Sequence, residues 1–157
     1  MRAPALLVLA ALVVPHAAQA QSARQAATVI MPQDEAGLEF QTAVGFADAI
    51  VTGDTIYLSG VVAAPAPGES GLAPAYDRAF ARIGQVLARS GATWDDVVDM
   101  TTFHTDLSKQ IDGFVEVKNR YVKAPFPTWT AIGISTLYEP TAVTEIKVVA
   151  KKRGVVK

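Results

Sequence analysis

Ala124-Pro125-Phe126-Pro127-Thr128-Trp129-Thr130-Ala131-Ile132 is the stretch on which the reading of this chain turns. Its two prolines cannot continue a helix, because each lacks an amide N–H and each pushes the preceding residue into extended backbone. Upstream, Ile111, Phe114, Val115, Tyr121 and Val122 form an apolar stripe at helical spacing, which predicts an amphipathic helix from about Ser108 to Lys123. Downstream, Thr128–Ile134 reads as a strand. Val143–Lys151 then alternates Ile146, Val148 and Ala150 with Glu145, Lys147 and Val149, the two-residue period of a strand with one buried face.

Working back from the prolines, Val97–Thr105 predicts another strand, with His104 on the face of Val98, Met100 and Thr102. Before it, Tyr76, Phe80, Ile83 and Leu87 recur every three or four residues, so a helix is expected there, closed by Gly91. Thr93 caps a short turn whose acidic residues, Asp95 and Asp96, suit the positive end of a helical dipole. Ala63 to Pro74 is a proline-rich loop. Phe46–Val51 and Thr55–Val62, separated by Thr52-Gly53-Asp54, predict a hairpin. Residues 21–36 show no clear period and belong to an irregular N-terminal extension, 21–40. Strand, strand, helix, strand, helix, strand, strand is the order of an α+β domain, one sheet with two helices on one face. This domain is expected over 41–152, with a short tail at 153–157. The uncovered face of the last strand holds Val143, Glu145 and Val149, and a half-apolar face without a helical cover predicts self-association.

The first twenty residues read as a signal peptide. Arg2 supplies the positive start, Leu6 to Val14 a short apolar run, and Ala18-Gln19-Ala20 a small-residue cleavage site. The run falls well short of the roughly 20 apolar residues that span a bilayer. Cleavage after Ala20 would place the protein in the periplasm or outside the cell. The chain has no cysteine, which excludes disulfides, thiol nucleophiles and thiolate metal sites. Lys and Arg number 14 against 15 Asp and Glu, a net charge of −1, so there is no electrostatic reason to bind nucleic acid or an anionic membrane. Lys151-Lys152-Arg153 reads as a solvated tail. His104 is the one histidine after the leader, so neither a metal site nor a cofactor is expected. The glycines have no phosphate-loop spacing.

Several pieces, in order, resemble the RidA (YjgF) family: Phe46 before the hairpin, Ile56-Tyr57-Leu58-Ser59-Gly60, Ala92-Thr93-Trp94-Asp95-Asp96-Val97-Val98, Thr102-Phe103-His104-Thr105-Asp106-Leu107, Phe126-Pro127 and Glu145-Ile146. The resemblance implies a chorismate-mutase-like sheet with two helices packed on one face, three copies closing a central barrel, and small-molecule clefts between subunits. It also implies metal-free hydrolysis of reactive imines or enamines. Residue by residue it assigns Glu145 to water positioning, and Ser59 and Phe46 to the cleft wall. Phe46 lacks the hydroxyl of the family's usual tyrosine. Trp129 stands where the family has an arginine that pairs with the substrate carboxylate; an indole offers one N–H and no charge. With neighbouring Thr130, the candidate ligand-binding set is Phe46, Ser59, Trp129 and Thr130, and the candidate catalytic residue is Glu145. Thr144 departs from the apolar residue usual before the glutamate, and the loop Leu137 to Ala142 has one residue more than the family pattern. Two functions follow as expectations: an exported hydrolase or deaminase of an imine, enamine or related C–N compound with altered substrate preference, or a non-catalytic homotrimer that binds a small ligand or a protein.

Overall fold

A computed structural model describes residues 21–154. The segment read as a signal peptide and residues 155–157 of the tail lie outside the described residues. In chain order the elements are β1 (Thr28–Ile30), α1 (Glu35–Val44), β2 (Ala49–Thr52), β3 (Thr55–Leu58), β4 (Val61–Ala63), α2 (Ala73–Arg89), β5 (Val97–His104), α3 (Leu107–Tyr121), β6 (Thr128–Gly133) and β7 (Thr144–Lys151). The strands form one sheet in the order β1-β2-β3-β7-β5-β6, with β4 also on β7. Only β5 and β6 run parallel, joined through α3 as a parallel pair requires. The α+β class is as expected.

The helix-side core follows from the sequence periods. Tyr76, Phe80, Ile83 and Leu87 of α2 are fully buried against Ile56, Met100, Ile146, Val148 and Ala150 of the sheet. Phe114 of α3 is the hub of the aromatic packing, with ring centroids 5.3 Å from Tyr76, 5.5 Å from Phe80, 5.1 Å from His104 and 5.9 Å from Trp129. The end of α2 is a Schellman turn: Ala92 N–H bonds Leu87 O, Gly91 N–H bonds Ala88 O, and Gly91 takes the positive φ of 81° that this turn needs. Asp96 and Thr93 then bond each other reciprocally and cap a single 3₁₀ turn.

Four expectations change. First, the extension is not irregular throughout, since β1 pairs with β2 and α1 starts at an Asp34 cap whose Oδ1 accepts from Gly37 N–H at 2.7 Å. Second, Thr55–Val62 is not one strand. Tyr57 faces Val149 and Val61 faces Ile146, so four steps on one side meet three on β7, and Ser59-Gly60 is a β-bulge that separates β3 from β4. Phe46 precedes β2 in the turn after α1. Third, a register shift between Val97 and Asp99 takes Val98 out to solvent, leaving Met100, Thr102 and His104 on the buried face. Fourth, the inward face of α3 is Gln110, Phe114, Val117 and Lys118, with Ile111 and Val115 only half-buried.

Candidate functional site

Gly45, at a φ of 89°, ends α1 and turns the chain so that Phe46 meets Phe40 edge to face at 6.0 Å. Ser59, in the bulge, is tied to the segment before β2: its hydroxyl donates to Ala47 O at 2.7 Å and its amide to Asp48 O at 3.0 Å. Glu145 extends from β7, paired in register with Val62 on one side and Phe103 on the other. Its carboxylate lies directly on Gly60, where an added Cβ would stand 1.7 Å from Oε1, so no other residue fits at 60 unless Glu145 moves. Phe46, Ser59 and Glu145 thus meet in one cavity of about 430 Å³, shared with Phe40, Val44 and the loop residues Tyr138 and Glu139.

The walls of this cavity are mostly apolar, and its charged groups are both carboxylates. Glu139 accepts from the amide and hydroxyl of Thr141 at 3.3 and 2.9 Å. Glu145 has no ion-pair partner among the described residues. Among the described residues no basic side chain lines this space; Arg82, held by Asp48, lines an adjoining hollow of about 210 Å³ that shares Phe46, Ser59, Gly60 and Val62 with it. Such a site favours a neutral or cationic ligand and repels a carboxylate.

The wall formed by α1 is held from behind. Asp48, 7% exposed, takes Arg82 at 2.8 Å and Arg89 at 2.6 Å, and its Oδ1 also accepts from Gln41 Nε2 of α1 at 2.8 Å. Arg89 donates in addition to Met31 O, just after β1, at 3.0 Å, so the Asp48 cluster joins α2 to α1 and to the residue that follows β1.

Trp129 and Thr130 are not part of this cavity. Trp129 pairs with Met100 in register and turns to the helix side, where its Nε1–H donates to Thr102 Oγ1 at 3.0 Å and its ring lies under Lys118. Thr130, one residue on, is exposed on the opposite face. A cation at position 129 would, on this geometry, stand beside Lys118 and not beside Glu145. Its indole N–H instead begins a buried polar chain. Thr102 Oγ1 lies 3.0 Å from His104 Nε2, and His104 Nδ1 lies 3.2 Å from Thr144 Oγ1. Gln110 Oε1 is 3.5 Å from Thr144 Oγ1, with its amide nitrogen donating to Thr105 Oγ1. Every donor finds an acceptor if the protons run from Trp129 through Thr102 to His104 Nε2, and from Nδ1–H through Thr144 to Gln110; that network assigns the neutral Nδ1–H tautomer. His104 is therefore a satisfied core residue, bonded to Thr102 and Thr144 while Ser59 bonds Ala47 O, and no Ser-His pair forms. Among the described residues, no three His, Asp or Glu side chains converge as a metal-holding group, and no helix is long and apolar enough to cross a membrane.

Residues 37–152 match the protein family described as Endoribonuclease L-PSP. YjgH of Escherichia coli K12, described as a RutC family protein, is 37% identical over 109 residues, 68% of this chain and 82% of that protein. The solved structure of a protein YjgH aligns with a TM-score of 0.69 at 31% identity, covering 82% of this chain and 98% of that one. A YjgF-family protein from Mycobacterium tuberculosis aligns with a TM-score of 0.68 at 25% identity, covering 80% and 98%. The chain belongs to the RidA (YjgF) family. The residues that carry the resemblance, from Phe46 to Ile146, all lie within the matched span.

Sequence reasoning missed Phe40, Val44, Tyr138 and Glu139 as cavity residues, and it missed Asp48. A signal for the first two existed in Asp34 and Gly45, a helix cap and a helix stop that bracket a ten-residue helix. Nothing local marks Asp48, whose partners Arg82 and Arg89 lie 34 and 41 residues away.

Proposed function

We propose that this protein is a metal-free hydrolase of small imines or enamines that carry no carboxylate, exported with residues 1–20 removed. It acts as a homotrimer whose clefts a neighbouring copy completes. The observation that carries the reading is the Glu145 carboxylate, seated on Gly60 without a cationic partner in an aromatic, apolar cavity. A protonated imine is both the more reactive electrophile and the better fit to such a site. Glu145 takes a proton from water as the water oxygen bonds the C=N carbon and the π electrons move to nitrogen. The proton returns to nitrogen; as the C–N bond breaks with its electron pair going to nitrogen, the adduct's hydroxyl gives its proton to the freed Glu145 carboxylate, and a carbonyl compound and an amine or ammonia leave. Ser59 has spent its proton on Ala47 O, so it can only accept, which suits holding water or an N–H. Export rests on the leader pattern, and N-terminal sequencing of the mature protein reads it directly.

The test is amine release from freshly generated imines with and without a carboxylate. Neutral and cationic imines are expected to turn over, and Glu145→Gln to lower kcat/KM by about 100-fold. Fast turnover of carboxylate-bearing imines, indifferent to Glu145→Gln, would place the chemistry elsewhere. The second reading, a non-catalytic trimer that binds a small ligand or a protein, is favoured by the half-exposed apolar rim of Phe40, Val44 and Phe46. Ligand-induced stabilisation without turnover of any C–N substrate would select it.

A further inference from the structure

Lys118 is the one inward-facing cation of α3. It is 8% exposed, yet none of the described ion pairs includes it. Its Nζ donates to a neutral partner, Asn119 Oδ1, at 2.9 Å, and sits 4.9 Å from the Trp129 ring centroid and 6.0 Å from that of Phe126. The aromatic faces compensate only part of the cost of removing an ammonium from water. Burial accordingly pushes the Lys118 amine below its usual value. Lys118 also lines a hollow of about 180 Å³ between α3 and the start of β6, together with Met100, Asn119, Val122, Phe126 and Trp129. A largely buried lysine whose amine borders an open apolar hollow, with no carboxylate paired to it among the described residues, is suited to receive an anion.

We propose that this hollow is a second binding site, for a small monocarboxylate whose anion pairs with the Lys118 ammonium and whose apolar part lies against Phe126 and Trp129. The two sites have opposite charge preference: the cavity at Glu145 presents two carboxylates, and this one a single cation. Nothing in the proposal depends on the imine reading of the first cavity, and its failure leaves that reading untouched.

Benzoate is the probe and benzamide its uncharged counterpart. In ¹H–¹⁵N spectra of the full mature protein, the indole N–H of Trp129 reports on the hollow, because that ring forms its wall while its N–H stays bonded to Thr102. Benzoate is expected to shift this signal saturably, and benzamide to bind about tenfold or more weakly, the loss typical of an unmade charged contact. Lys118→Met should abolish the preference for the anion, and Lys118→Arg should keep it. Equal binding of benzoate and benzamide, no saturable shift at all, or a preference that survives in a folded Lys118→Met would overturn the proposal. So would a crystal structure of the assembled protein with a neighbouring subunit's carboxylate already on Lys118.

Discussion

His104 is the only histidine among the described residues, and it is fully buried between Thr102, Thr144 and the edge of Phe114. Burial lowers its pKa below 6.5, and hydrogen bonding of the ring to the side-chain oxygen of Gln110 opposes this in part. A folded pKa below the unfolded one means that the unfolded chain binds the proton first as pH falls. Stability is then highest above 6.5 and declines below it, by at most about 1.4 kcal/mol per pH unit for one group. Glu69, held down to about 2 by its Arg78 partner, and Asp54 and Asp106, also lowered by lysine partners, lose their contributions only in the acid range below the usual carboxylate values. Lys118 acts at the alkaline end. The window between pH 7.5 and 5.5 therefore isolates His104. Denaturant midpoints should fall across it in the wild type and change less in His104→Gln, although that variant starts lower because it breaks the chain from Trp129 to Gln110. Parallel slopes in the two proteins would contradict the assignment of a neutral imidazole.

Among the elements, α1 is the one whose position the cavity depends on, and it is fastened less by its own apolar residues than by a charge. Leu38, Phe40 and Val44 of α1 are all half-exposed, and its buried residue is Gln41, which binds Asp48. Removing Asp48 strands Arg82 and Arg89 without a counter-charge and releases Gln41. Asp48→Ala should cost about 3 kcal/mol or more in denaturant unfolding, as breaking a buried ion pair does. Because Phe40 and Val44 then lose their support, KM for any cavity substrate should rise more than kcat falls. Unchanged stability would mean that α1 is held in some other way. The same helix shows where the sequence stops being readable. The α2 stripe is legible because four large apolar residues repeat on one face of a helix that packs on its own sheet. For α1 the inward residue is polar and the apolar ones face outward, so the hydrophobic period is silent and only the cap at Asp34 and the stop at Gly45 betray a helix. Ser59 and Glu145 are placed in one cleft by the family resemblance, not by a local pattern. The bulge that joins them is not legible either, since it is defined by counting against β7. Which way Trp129 faces is decided by β5–β6 pairing and by Thr102, 27 residues earlier, so no local pattern carries it.

At the scale of the whole molecule, the sheet presents two faces of different fate. The helix side is closed by α2 and α3. The other side leaves Tyr57 50% exposed, with Val62 and Ile132 also open and Val149 half-buried beside Tyr57. This apolar surface is continuous with the cavity, because Val62 belongs to both and pairs in register with Glu145. A cover over the outer face of the sheet therefore reaches the mouth of the cavity that holds Glu145, and water exclusion around a general base is what a hydrolytic site gains from such a cover. A second and third copy of this chain are the cover proposed above, so assembly and turnover are expected to be inseparable. Tyr57 lines no part of the cavity, so Tyr57→Asp tests the coupling without touching the proposed chemistry. Light scattering should give about three times the mass of the mature chain for the wild type and the single-chain mass for Tyr57→Asp, a buried unpaired charge being costly at an apolar interface. Imine turnover should fall in step with the trimer fraction, while far-UV dichroism stays that of a folded protein. A wild-type monomer at micromolar concentration would remove the case for assembly. A monomeric Tyr57→Asp with full turnover would show instead that one chain closes its own cavity, and that the exposed face of the sheet serves some other contact.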